Sequence, residues 1–239
     1  MANWKARVGI LSPSVFEIPS DWSATLPPGI SLAASGLNVR AHTPEEFEKA
    51  VGDLESALQV FLAEEVDAIL VGGITLATQR GFQAEQNILS DLSIRLRLPL
   101  TTGMQASVEA LRHFEAKRIV IATAYKESIN GAVRKYFEEA GFEVAGIRGL
   151  GVSRPVEQAK LQRDASAKVA RTLIQAHPDA DAILLQGRWP SVGSVQRLET
   201  ELKLPVVATV AASLWWALRR LRLDIPVRGF GRLLQGASS

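Results

Sequence analysis

Short apolar runs alternate along the chain with stretches whose apolar residues recur at helical spacing. That alternation is the mark of parallel βαβ units, because a strand buried on both faces is apolar throughout while the helix covering it needs one apolar stripe. It predicts strands over Arg7–Ser12, Asp67–Val71, Leu100–Thr102, Arg118–Thr123, Glu143–Ile147, Ala182–Leu185 and Val206–Thr209, with amphipathic helices between them. Thr43-Pro44-Glu45-Glu46 reads as a helix start: a capping hydroxyl, proline in the first turn, then carboxylates at the positive helix end.

The chain repeats itself. Asp67-Ala68-Ile69-Leu70-Val71-Gly72-Gly73 returns as Asp181-Ala182-Ile183-Leu184-Leu185-Gln186-Gly187, and Leu96-Arg97-Leu98-Pro99-Leu100 as Leu202-Lys203-Leu204-Pro205-Val206. Each copy leads into a helix carrying Ala106-Ser107 or Ala212-Ser213, and Arg7-Val8-Gly9-Ile10 corresponds to Arg118-Ile119-Val120-Ile121. Three blocks in one order predict a duplicated α/β fold: two similar Rossmann-like lobes with parallel sheets, related by a pseudo-twofold axis. One lobe is expected from 1–104 and 210–239 and the other from 105–209. Ligands of open parallel sheets bind beyond the carboxyl ends of the strands, so the site is expected in the interlobe cleft.

The strand ends carry the candidate chemistry. Gly73-Ile74-Thr75-Leu76 offers unhindered backbone N–H groups and a hydroxyl where a helix can begin, which makes an anion cradle. Ala122-Thr123-Ala124-Tyr125-Lys126 puts a phenol at the mouth of the next unit, able to donate to a carboxylate or an enolate. Each feature has a plain structural alternative: Gly73 and Gly187 as turn formers, Thr75 as a helix cap, Tyr125 as an amphipathic lid residue.

Composition narrows the function classes. The 239 residues are 47% hydrophobic and 22% charged, enough for a large core. No run approaches the roughly 20 apolar residues of a membrane span and the start has no signal-peptide pattern, so a soluble cytoplasmic protein without membrane partners is expected. A net charge of +2 with both signs interleaved argues against nucleic acid, and Arg219, Arg220 and Arg222 read as a solvated helix face. With no cysteine, neither a thiolate nor a cysteine-ligated metal is available, and His42, His113 and His177 have no metal-ligand spacing. There is no phosphate-binding Gly-x-x-x-x-Gly-Lys, no Gly-x-Ser-x-Gly, and no third glycine after Gly149-Leu150-Gly151-Val152. No metal or cofactor is implied, and what remains is a site rich in neutral donors and poor in nucleophiles. The oligomeric state is left open, a homo-oligomer included.

At Gly73-Ile74-Thr75, Ala122-Thr123-Ala124-Tyr125 and Ile183-Leu184-Leu185-Gln186-Gly187 the chain resembles the aspartate/glutamate racemase superfamily. Within it the resemblance is to the arylmalonate decarboxylase family, with the maleate isomerases more distant. It extends over Gly9 to Pro13, Ala34-Ser35-Gly36-Leu37, Thr43-Pro44-Glu45, Arg80-Gly81, Leu150-Gly151 and the tail Gly229-Phe230-Gly231-Arg232-Leu233-Leu234. It implies a cofactor-free site in which a cluster of donors holds a substrate carboxylate and the enediolate made from it. Gly73, Thr75 and Tyr125 match members of that cluster; Ile74 keeps the N–H but lacks the side-chain hydroxyl, and Pro13 matches a pocket wall.

The departure is at the two cysteine positions of the superfamily, here Gly73 and Gly187, with Arg188 replacing a glycine and Trp189-Pro190 following. Two-base thiol racemisation and cysteine addition to a double bond are therefore excluded on this reading. Decarboxylation tolerates the loss best, since donors that stabilise an enediolate lower the barrier to carbon–carbon cleavage without a nucleophile. The expected catalytic set is Gly73, Ile74, Thr75, Tyr125, Gly187 and Arg188, the last as a carboxylate clamp. Ser12, Pro13, Ser14, Gln186 and Trp189 are the expected substrate contacts. Another lyase, a hydrolase or a non-thiol isomerase acting on a small carboxylate remains open, as does a carboxylate-binding protein without catalysis.

Overall fold

A computed structural model describes residues 4–12, 18–37, 44–72, 80–152 and 154–236, with the side chains of 44–47 and Pro155 aside. The described strands are β1 (Ala6–Ser12), β2 (Ile30–Gly36), β3 (Ala68–Val71), β4 (Leu100–Thr102), β5 (Arg118–Thr123), β6 (Glu143–Arg148), β7 (Ala182–Gln186) and β8 (Val206–Ala208). They form two parallel sheets with the same order, β2-β1-β3-β4 and β6-β5-β7-β8. The helices are α1 (Ser20–Thr25), α2 (Pro44–Ala63), α3 (Phe82–Leu96), α4 (Gly103–His113), α5 (Glu127–Glu139), α6 (Pro155–Ala159), α7 (Ala165–Ala176), α8 (Val192–Leu202), α9 (Thr209–Arg220) and α10 (Arg232–Gln235). None is long and apolar enough to cross a membrane.

The repeated sequence blocks have repeated structural jobs. Asp67 Oδ2 accepts the Arg7 N–H at 2.7 Å, while Asp181 Oδ2 accepts the N–H groups of Lys117 and Arg118 at 2.9 and 3.0 Å. Each aspartate thus satisfies orphan donors where the next strand enters. Pro99 O accepts from Ile69 N at 2.9 Å and Pro205 O from Ile183 N at 3.0 Å, starting the β3/β4 and β7/β8 ladders alike. Arg97 and Lys203 close α3 and α8 in the same left-handed conformation, at φ of 54° and 59°. Register agrees too: Val8 faces Ala68 and Ile119 faces Ala182.

Strand β2 has no counterpart in the sequence expectations. Its residues, Ile-Ser-Leu-Ala-Ala-Ser-Gly, are small and lie at a half-exposed sheet edge, so neither a continuous apolar run nor a clean alternation announces it. Thr209 is helical rather than the last residue of β8, and β7 runs one residue further, to Gln186. The expected start of α2 at Pro44 stands, while Thr43 lies outside the described residues.

In each sheet the strand order reverses between its two central strands, β1 and β3 or β5 and β7, giving a crevice beyond their carboxyl ends. One continuous apolar cluster joins Ile10 and Leu70 of the first sheet, through Met104 and Val210 at the starts of α4 and α9, to Ile121 and Leu184 of the second. A second cluster, including Leu58, Phe61, Ile69 and Leu92, fills the space under α2 and α3.

Between α3 and α5 sits a fully buried carboxylate, Glu85, which accepts from the Tyr136 hydroxyl and is also bonded to the Thr102 side chain. Burial pushes its pKa up to about 7. The folded protein therefore keeps a proton that the unfolded chain releases from its ordinary value near 4.5 upward. Stability falls as pH rises across that window and levels off above it, by up to about 3 kcal/mol from this group. Glu85→Gln is expected to remove that slope, measured as the difference between variant and parent in urea unfolding at successive pH values.

Candidate active site

The two crevices face one cavity of about 90 Å³. Ile10 and Ser12 come from the end of β1, and Leu70, Val71 and Gly72 from β3. Tyr125 follows β5, and Gln186, Gly187 and Arg188 come from the end of β7. The first two residues of α4, Gly103 and Met104, and of α9, Thr209 and Val210, complete the lining with Ser213, Pro19 and Trp22. Two helix N-termini thus open onto it, each contributing partial positive charge. Among the described lining residues Arg188 is the one charged group.

Tyr125 is held by its neighbours on both sides. Its carbonyl accepts the Gly151 N–H at 3.1 Å, and its own N–H donates to Thr123 Oγ1, also at 3.1 Å. A Cβ on Gly149 would fall 2.1 Å from the Tyr125 carbonyl oxygen, so only glycine lets that turn come so close. The glycines of Gly149-Leu150-Gly151 therefore serve to clamp the phenol. Burial raises the Tyr125 pKa well above the usual phenol value, against the opposing pull of a Gln186 hydrogen bond and the Arg188 charge. The phenol stays protonated and is a donor.

Gly187 has φ +126°, and a Cβ there would lie 3.1 Å from Tyr125 Oη. The backbone at the end of β7 thus passes directly beside the phenol. Gln186 is buried and committed to protein: its Oε1 accepts from Thr209 Oγ1 at 3.0 Å and its side chain bonds Tyr125.

The remaining wall is α1, pinned across the cavity by Asp21. Its Oδ2 accepts from Ser191 N at 3.0 Å, Ser191 Oγ at 2.9 Å and Val192 N at 3.0 Å, capping α8 from a distant part of the chain. Burial raises the Asp21 pKa despite these three donors. Asp21→Ala is expected to cost about 2 kcal/mol or more, since it strips a cap and leaves buried donors unpaired. Thermal unfolding measures the loss, and with Trp22 no longer pinned the KM for any substrate of the cavity should rise.

Of the residues expected from sequence, Ser12, Tyr125, Gln186, Gly187 and Arg188 meet at this cavity. Gly73, Ile74, Thr75, Pro13 and Ser14 lie outside the described residues, although Gly72, next to them, lines it. Trp189 is not among the lining residues. It is fully buried in the core, and Trp22 supplies the aromatic wall instead. The chain turns there at Pro190 and is fixed at Ser191 by Asp21, ahead of α8. Thr209, Ser213, Gly103, Met104 and Trp22 were not singled out from sequence. The repeat contained the signal for three of them, since Thr209 and Ser213 stand where Gly103 and Ser107 stand in the first copy. A wider groove of about 800 Å³ beside Gln105, Glu109, Trp216 and Arg220 is open to solvent and borders Pro99 and Leu100 at the amino end of β4, away from the switch points.

Duplicated parallel sheets with one ligand-sized cavity where their switch points meet define a two-lobed α/β protein. The chain belongs to the arylmalonate decarboxylase family, whose model matches residues 8–234. It is 26% identical to the arylmalonate decarboxylase of Bordetella bronchiseptica, over 94% of each chain. It is 28% identical to the maleate isomerase of Nocardia farcinica, over 98% of this chain and 97% of the other. The fold matches unliganded arylmalonate decarboxylase with a TM-score of 0.85 at 23% identity, covering 96% of this chain and 99% of that one.

Proposed function

We propose that the protein is a cofactor-independent decarboxylase of a small malonate-type acid, aryl or alkyl, working through an enediolate in an anion hole without a cysteine proton donor. One observation carries this reading: two helix N-termini, Tyr125 and Arg188 meet at a cavity whose described lining also includes the apolar side chains of Ile10, Trp22, Leu70, Val71, Met104 and Val210 and the polar ones of Ser12, Gln186, Thr209 and Ser213. Such a cavity suits a substrate with one carboxylate to hold and one to lose. The held carboxylate meets Tyr125, Arg188 and, by sequence position, the Gly73 and Ile74 amides and the Thr75 hydroxyl. The other leaves as carbon dioxide when its carbon–carbon bond breaks. The electron pair passes into the held carboxylate as an enediolate, whose oxygens bind these donors more strongly than the ground state does. The α-carbon then takes one proton, so each turnover consumes one.

The identity to the Nocardia farcinica maleate isomerase favours a second reading, isomerisation of a small dicarboxylate. A panel of aryl- and alkylmalonates followed for hydrogencarbonate, with maleate followed for fumarate, separates the two. Hydrogencarbonate from at least one malonate and no fumarate is expected. Fumarate alone would transfer the assignment to isomerisation, and neither product would leave a carboxylate-binding protein.

A further inference from the structure

Arg188 lies on a short stretch of chain between β7 and α8 that is fastened at both ends. At one end the Gly187 N–H donates to Thr209 Oγ1 at 3.3 Å. At the other, the N–H groups of Ser191 and Val192 and the Ser191 hydroxyl donate to Asp21 Oδ2, at 3.0, 3.0 and 2.9 Å. Between them Trp189 is 1% exposed in the core, and Pro190, with its fixed φ, restricts the residue before it. Trp189 by itself fixes one point and leaves the chain on either side free to swing about it; anchors at Gly187 and Ser191 fix the path, and with it the backbone of Arg188. The second anchor comes from α1, in the connection from β1 to β2, so an element attached to the first sheet holds a segment attached to the second. The residue after Asp21 is Trp22, which lines the same cavity as Arg188. One carboxylate oxygen thus sets the aromatic wall and the cationic group relative to each other.

Helix capping alone does not call for this arrangement. Ser191 occupies the N-cap position of α8, where a serine side chain ordinarily accepts from the helix's own free N–H groups. Its hydroxyl makes no such bond and donates to Asp21 instead. Burial also opposes the ionisation of Asp21, raising its pKa in spite of the three donors. A remote, desolvated carboxylate does what a local hydroxyl can do, and what it adds is the link between α1 and the Arg188 segment.

We infer that Asp21 is a positioning residue which, by fastening Ser191 and Val192 to α1, holds Arg188 in place for a bound carboxylate. The inference rests on the proposed carboxylate site but not on decarboxylation. Asp21 is not among the described lining residues and acts through the backbone that carries Arg188.

Calorimetric binding of phenylacetate and succinate, acids that cannot lose a carboxylate as a malonate does, tests the strap through a double-mutant cycle between Asp21 and Arg188. Asp21→Ala is expected to weaken binding about tenfold more in the parent than in an Arg188→Gln background, where no charge remains to be placed; coupling within one network has this scale. The loss common to both backgrounds belongs to Trp22. Ser191→Ala removes one of the three bonds and leaves Asp21 in place, so it should show a smaller coupling of the same sign, and it gives the answer if Asp21→Ala does not fold. Equal losses in the two backgrounds, or parent affinity in Asp21→Ala, overturn the inference. Hydrogen exchange adds a ligand-free check at the amides of Gly187, Arg188 and Trp189, which precede the donors to Asp21 at Ser191 and Val192. They should exchange faster in Asp21→Ala than in the parent, and unchanged exchange also overturns the inference. Coupling in a parent that releases no hydrogencarbonate from malonates would uphold the strap while removing decarboxylation. A parent that binds neither acid removes the carboxylate site and the inference together.

Discussion

Replacing Tyr125 by phenylalanine is expected to lower turnover of a malonate substrate by about 100-fold or more, the scale on which a single preorganised donor to a developing oxyanion acts. The ring is buried, and its backbone is held by Thr123 and the Gly149–Gly151 turn, so phenylalanine should occupy the same place. The lost group is the hydroxyl, which lines the cavity and bonds the Gln186 side chain. Stability should fall only by about 1 kcal/mol, the ordinary effect of one buried hydrogen bond. Steady-state kinetics should show the loss in kcat and in kcat/KM alike, because the bond strengthens as charge moves onto the held carboxylate. A loss confined to KM would mean that the phenol binds substrate and transition state equally.

The second large effect is expected at Gly187, where substitution acts through backbone and phenol together. At φ +126° an L-residue is strained, by roughly 1–3 kcal/mol, and its Cβ would press on Tyr125 Oη. Gly187→Ala should therefore lower the unfolding free energy by that amount and reduce turnover as far as Tyr125→Phe does, by moving the same hydroxyl. A cysteine at this position meets the same two obstacles. A thiol here is thus not inserted into vacant space; it requires the β7 turn and the phenol to adjust first. Chemical denaturation and a rate measurement on one preparation of Gly187→Ala check both halves, and parent stability with parent rate would show that the turn relaxes freely.

Much of this was legible in the sequence because duplication writes the same physical constraint twice. Asp67 and Asp181, Pro99 and Pro205, Arg97 and Lys203 hold matching positions in the two sheets, and their recurrence revealed the duplication before any contact was known. The edge strand β2 was not legible, because its small residues bury too little apolar surface to produce a pattern. At the site, Tyr125 and Gly187 stood out since each follows a strand, where ligands of parallel sheets bind, whereas Arg188 drew notice only through the family resemblance. Trp22 and Asp21 did not: α1 is one short helix whose role appears only when Asp21 reaches the N-terminus of α8, about 170 residues away. Trp189 misled for the opposite reason. An aromatic side chain two residues past a strand end reads as a cavity wall, but the Pro190–Ser191 turn leaves it in the core.

The central claim is that a carboxylate is held between the two switch points by the Tyr125 proton, beside Arg188. A crystal structure of the protein with phenylacetate bound tests it most directly. The account predicts a carboxylate oxygen at about 2.7 Å from Tyr125 Oη, the usual length of an O–H···O bond, with Gln186 still bridging the phenol and Thr209. Phenylacetate seated instead in the open groove beside Trp216 and Arg220, with the cavity at Tyr125 empty at saturating concentration, would contradict it.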